Sequence, residues 1–199
     1  GQTCCAPKRF IVHESLHDEF IQGALQKIAA LHHGSPLEDE TDYGCLISEK
    51  AAQEVLRQVE LTVAQGAKCI CGGKIYDKTY FEPTILDGVT LEMDVAKDME
   101  IFGPVLPILT FKTDEEAIRI ANATSYGLQG GVMSRSMNRA MYVASRLQCG
   151  GVVINGSGNY RHLQQPFGGY KMSGLGREGT CVTLEEMTQQ KSYILKGVL

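Results

Sequence analysis

No apolar run approaches the length that crosses a bilayer, and the first residues lack the charged and apolar regions of a signal peptide. The sequence also has no surplus of positive charge: 19 Lys and Arg stand interspersed with 23 Asp and Glu, a net charge of −4. Without a basic face to displace counterions from phosphate, nucleic acid is excluded as a partner, and a membrane surface with it. The cysteines form no framework. There are seven, an odd set without disulfide spacing, which fits a reducing cytoplasm. Cys69 and Cys71 have neither a second cysteine pair nor a histidine pair at zinc spacing, so no metal is expected.

What is present suits one compact domain: 199 residues, 43% of them hydrophobic, are enough for a sizeable core. Leu16, Phe20, Ala24, Ile28 and Leu31 recur at helical spacing after a capping pattern at Ser15 and before Gly34. Ala52, Val55, Val59 and Val63 repeat the stripe between Ser48 and Gly66. Helices are also expected after Thr113 and from Asn138 to Leu147. Between them lie short apolar strands: 8–13, 68–71, 81–86, 104–111, 130–133 and 151–155. Pro107 suggests an edge strand or a bulge. The alternation predicts an α/β fold, a mostly parallel sheet covered on both faces, with function at the strand ends.

Cys4 sits in Gly1-Gln2-Thr3-Cys4, on a turn ahead of a strand and close to Lys8 and Arg9. A cysteine attacks as thiolate and needs partial exposure with a positive field nearby, so this placement suits a nucleophile; a small buried hydrophobe is the alternative. Gly174-Leu175-Gly176-Arg177-Glu178-Gly179 spells the dinucleotide-binding pattern, but no strand delivers Gly174 and too little chain follows for a βαβ unit. Residues 156–179 hold many glycines and read as a binding loop.

Three segments together resemble the aldehyde dehydrogenase superfamily: G-Q-x-C at Gly1 to Cys4, E-I-F-G-P-V at Glu100 to Val105, and P-F-G-G-Y-K-M-S-G-x-G-R-E from Pro166 to Glu178. The segment from Asn122 to Leu128 adds to them, and the resemblance covers the whole chain. It implies a three-layer αβα catalytic domain over 1–187, a C-terminal oligomerisation strand over 188–199, and no Rossmann coenzyme domain in these residues. It further implies NAD(P)-dependent oxidation of a small-molecule aldehyde to a carboxylic acid, through a thiohemiacetal and thioester on Cys4. Glu100 would bind the nicotinamide ribose of NAD or NADP, and Phe102 would pack near the ring. Phe167 would line the substrate tunnel, and Arg161, in the variable loop before it, could fork onto an anionic substrate.

The family's general base and oxyanion asparagine precede the G-Q-x-C motif, and their positions have no counterpart here. The expectation is therefore an isolated chain without turnover, a truncated catalytic portion. The alternatives are a non-catalytic binding or oligomerisation module and a cofactor-free thiol esterase. A homo-oligomer formed through Thr188 to Leu195 is expected.

Overall fold

The computed structural model describes residues 1–197. Ten strands are formed: β1 Phe10–His13, β2 Lys68–Cys71, β3 Ile75–Tyr76, β4 Tyr80–Phe81, β5 Thr84–Asp87, β6 Val105–Phe111, β7 Tyr126–Gly127, β8 Gln129–Val132, β9 Gly151–Ile154 and β10 Tyr170–Lys171. Five helices accompany them: α1 His17–Ala29, α2 Glu49–Ala64, α3 Asp114–Asn122, α4 Met137–Ala144 and α5 Thr180–Glu186. Side-chain caps fix three of the helix starts, with Ser48, Thr113 and Ser136 each accepting from the N–H three residues on.

The main sheet runs β1-β6-β5-β2. β6 pairs parallel with both β1 and β5, and β2 closes one edge antiparallel to β5. A separate parallel pair joins β8 to β9. The architecture is thus α/β with a mixed sheet whose centre is parallel.

Alternation explains why this sheet carries helices on both faces. Ile85 and Ile108 point to one side, where they pack with Ile21, Phe20 and Ala24 of α1. Their neighbours Leu86 and Leu109 point to the other, against Ala52, Val55 and Val59 of α2. Strands buried on both faces read as continuous apolar runs, as β5 and β6 do.

Pro107 lies in neither an edge strand nor a bulge. The ladder to β5 ends at Leu86–Pro107 and that to β1 begins at Phe10–Ile108, so the proline occupies the handover between neighbours, where its missing N–H is tolerated. Residues 188–195 form no ladder, because a strand needs a partner and none among the described residues reaches them. Residues 198 and 199 of the expected terminal strand lie outside the described residues.

Candidate active site at the Cys4–Cys5 turn

Cys4 and Cys5 form the centre of a turn closed by the Ala6 N–H donating to the Thr3 carbonyl at 3.1 Å, just ahead of β1. The residues around the turn are pinned individually. The Gln2 amide donates to the Cys45 carbonyl at 3.3 Å and accepts from the Ile47 N–H at 2.9 Å. A Cβ on Gly1 would overlap the Gly103 carbonyl, so this approach requires glycine. Cys4 is exposed, and its Sγ lies 3.7 Å from the half-buried Sγ of Cys5. Burial, then the hydrogen bond with Cys4, pushes the Cys5 thiol above its ordinary range.

On one side of the turn stand Lys8, Glu100 and Phe102. The Lys8 ammonium lies 3.5 Å above the Phe102 ring and 4.0 Å from Glu100 Oε1. It is buried and hydrogen-bonds no group among the described residues. Burial lowers its pKa, while Glu100 and more weakly Cys4 and Cys5 act to raise it, so the amine lies within electrostatic reach of both thiols. Arg9, the other cation ahead of β1, is structural: its guanidinium donates to the carbonyls of Ala96, Ile120 and Ala121 at 3.2, 2.7 and 2.8 Å. Phe102 adopts φ +52° and is 38% exposed as a residue. A non-glycine residue in that region costs of order 1–3 kcal/mol and is found where surrounding structure holds it, often at functional sites.

On the other side, the loop 156–165 packs against the turn. Thr3 Oγ1 meets Asn159 Oδ1 at 3.4 Å, and a Cβ on Gly158 would come within 3.1 Å of the Cys5 carbonyl. Phe167 and Glu178 exchange two backbone hydrogen bonds of 2.7 Å. Across that bridge Arg161 stacks 3.8 Å above the Phe167 ring and reaches Glu178 Oε1 at 3.4 Å. Arg161 and Glu178 both act on the Cys5 thiol, the arginine lowering and the glutamate raising its pKa.

The structure therefore gathers Glu100 with Phe102, and Arg161 with Phe167, on the two flanks of the Cys4–Cys5 turn. Sequence reasoning noted Lys8 only as a cation near the thiol, and missed its stacking on Phe102. It also missed the parts of Gln2 and Glu178, which stand inside the quoted motifs without a role assigned to them, and of Cys5 and Asn159, which no motif marks. No imidazole pairs with Cys4 among the described residues: His13 contacts Ser15, His17 contacts Asp18 and Asp87, His32 contacts Asp42, His33 packs edge-on against Tyr43, Tyr76 and Tyr80, and His162 bonds within its own loop.

The glycine-rich run does not make a dinucleotide turn. It is wound around Arg177, which donates to the carbonyls of Gly169 and Gly176 at 3.0 and 2.6 Å, and β10 before it is a two-residue strand antiparallel to β7. No group of three metal-ligating side chains occurs among the described residues, and no helix there is long and apolar enough to cross a membrane. A cavity of about 280 Å³ behind the turn is lined by Gln2, Tyr43, Cys45 and Phe81, and an open cleft of about 370 Å³ by Phe167, Arg177 and Glu178. Cys4 lines neither.

Comparison with known proteins gives one consistent result. Residues 1–193 match the aldehyde dehydrogenase family. The lactaldehyde dehydrogenase of Methanococcus aeolicus is 40% identical over 195 residues, covering 98% of this chain and 41% of its own. Among solved structures, the NAD-dependent aldehyde dehydrogenase of Sinorhizobium meliloti superposes with a TM-score of 0.91 at 37% identity, over 95% of this chain and 38% of that one. The glyceraldehyde-3-phosphate dehydrogenase of Methanocaldococcus jannaschii, complexed with NADP, gives 0.88 at 42% identity over 94% and 40%. The chain spans about two fifths of the length of the relatives it matches.

Proposed function

The chain belongs to the aldehyde dehydrogenase family, and on that premise we propose that it carries the catalytic thiol and both flanking surfaces for NAD(P)-dependent oxidation of an aldehyde to a carboxylate. The observation that carries this reading is the convergence of Lys8–Glu100–Phe102 and Arg161–Phe167–Glu178 on one exposed thiol turn.

Cys4 is the nucleophile. Its thiolate attacks the carbonyl carbon, forming a C–S bond as the C=O electron pair moves to oxygen, and the product is a thiohemiacetal. NAD(P), when bound, supplies the acceptor for the hydride that leaves this carbon. Water then cleaves the resulting thioester, releasing carboxylate and returning the thiol to Cys4. The residues fit the nicotinamide end of such a cofactor. Glu100, with a 35% exposed side chain, can accept from ribose hydroxyls; the part-exposed Phe102 offers an apolar surface; and the buried ammonium of Lys8, 4.0 Å from Glu100, places positive charge beside both. They do not fit its pyrophosphate, since the one glycine-rich pattern is folded around Arg177.

Phe167 and Arg161 form the substrate end, with Arg161 selecting anionic aldehydes. Glu178 already holds one guanidinium nitrogen at 3.4 Å, so an anion competes with that pairing. The 199 residues alone should not turn over. No carboxylate or imidazole hydrogen-bonds Cys4 to act as base among the described residues; a general base contributes ~10² to 10⁴ in rate, and an oxyanion donor ~10² to 10³. The test is NAD(P)H formation with aliphatic, aromatic and carboxylate-bearing aldehydes, for this chain and its Cys4→Ser variant. Cys4-dependent turnover would overturn the claim that another segment is required.

The exposed Tyr193, Ile194 and Leu195 favour self-association through the C-terminal segment, as a homo-oligomer. Seven free thiols support a reducing, cytoplasmic compartment.

A further inference from the structure

The Cys4–Cys5 pair has a geometry that nucleophilic attack by Cys4 does not use. The two Sγ atoms are 3.7 Å apart, with Cys4 exposed and Cys5 half-buried beneath it. Two outcomes are open to such a pair: closure to a disulfide, or chelation of one soft atom. A disulfide needs its sulfurs about 2.0 Å apart and Cα atoms usually about 4.4 Å or more apart, whereas neighbours across one peptide are about 3.8 Å apart, so closure would strain the turn. Two thiolates on a single soft atom, with bonds of roughly 2.3 Å, hold their sulfurs roughly 3.3 Å apart at the right angle that a pyramidal trivalent atom approaches and roughly 3.8 Å apart at the tetrahedral angle. The observed 3.7 Å lies within that range, and a small rotation of the exposed Cys4 side chain closes the remaining few tenths of an ångström.

The surroundings narrow the class of ligand. No group of three metal-ligating side chains exists among the described residues, so a divalent metal would find only two protein ligands here. Trivalent arsenic bearing one organic substituent needs only two sulfurs to complete its three bonds. We propose that Cys4 and Cys5 form a dithiol site for organic trivalent arsenicals. In the reaction, two As–S bonds form, two As–OH bonds break, and the two thiol protons leave with the hydroxyls as two waters. No oxidation state changes. Cys5, whose burial favours the protonated form, suits this exchange better than simple alkylation. Occupancy consumes Cys4 and therefore blocks the nucleophile.

The second sulfur acts intramolecularly, at the high effective concentration of a neighbouring residue, so its removal should weaken the adduct on the order of 10²-fold or more. The experiment is to treat this chain with phenylarsonous acid, challenge it with excess 2-mercaptoethanol, follow retention by intact mass, and map the thiols left unprotected against iodoacetamide. The wild-type adduct should survive the monothiol, be released by dithiothreitol, and protect Cys4 and Cys5 together. Cys5→Ser should lose it to the monothiol, and Cys69→Ser should keep it, excluding the Cys69/Cys71 pair. Displacement of the wild-type adduct by the monothiol, retention in Cys5→Ser, or protection mapping to Cys69 and Cys71 would overturn the proposal. Mapping on the wild-type chain decides the matter even if the Cys5 variant does not fold.

Discussion

The ammonium of Lys8 lies 3.5 Å above the centroid of the Phe102 ring, joining the strand entry behind Cys4 to the segment that carries Glu100. A partly desolvated contact of this kind is worth about 1–2 kcal/mol, but the same amine lacks a hydrogen-bond partner, and these effects oppose one another. Lys8→Met keeps the aliphatic stem and should leave stability within about 1 kcal/mol, whereas Lys8→Ala also removes packing and should cost about 1–2 kcal/mol. Urea unfolding of both variants checks this. A loss of several kcal/mol in Lys8→Met would mean that the charge itself holds the site.

Gly103 is a steric control on the Phe102 backbone. A Cβ there would approach the Val55 methyls at 2.8 and 2.9 Å, and Val55 is a core residue of α2. Gly103→Ala should destabilise by about 1–3 kcal/mol through overpacking. Adding Val55→Ala should restore part of that loss in a double-mutant cycle, and simple additivity would contradict the contact.

His17 ties the start of α1 to the end of β5, its Nε2 meeting Asp87 Oδ1 at 2.7 Å and its Nδ1 meeting Asp18 Oδ1 at 3.0 Å. Hydrogen bonding to Asp87, then to Asp18, raises its pKa above 6.5. The folded state therefore holds this proton more tightly than the unfolded chain. The added stability is fully present below 6.5 and is lost as pH rises through the raised folded value. Urea unfolding free energies measured from about pH 5.5 to about pH 8.5 should fall along this limb, and His17→Gln should flatten it. An unchanged profile in the variant would assign the slope elsewhere.

Arg161 is shared between Phe167 and Glu178, with a 41% exposed side chain. Arg161→Met should slow acylation of Cys4 by a carboxylate-bearing p-nitrophenyl ester about tenfold more than acylation by the acetyl ester, in keeping with one charge-assisted hydrogen bond. Glu178→Gln should act in the opposite direction by freeing the guanidinium. Equal slowing of both esters in Arg161→Met would remove anion selection from this residue.

Much of the fold was legible because its helices carry one apolar stripe and its central strands are apolar throughout. Pro107 was misjudged, since the usual rule takes a ladder to be continuous on both sides of a strand, and here it changes sides at that residue. α5 went unread: its seven residues follow a glycine run, with no side-chain cap to mark the start. The segment 188–195 had strand composition without a strand partner.

In the candidate site, Glu100, Phe102 and Phe167 rest on motif resemblance alone, whereas Cys4 rests also on its placement ahead of a strand and near two cations. The Lys8–Phe102 stack was not legible, because it joins segments far apart in the chain, and neither was the Arg161–Glu178 pairing beside Cys5, because an irregular loop has no periodicity from which to read which of its side chains meet.

The most direct test of Cys4 as the nucleophile is reaction of this chain with p-nitrophenyl acetate, quenched at stoichiometric acylation and mapped by peptide mass spectrometry. Cys45, Cys69 and Cys181 are also exposed and serve as internal competitors. The expected result is one acetyl group on Cys4 and none in Cys4→Ser. Acetylation spread evenly over the exposed thiols, or persisting in the variant, would contradict the assignment.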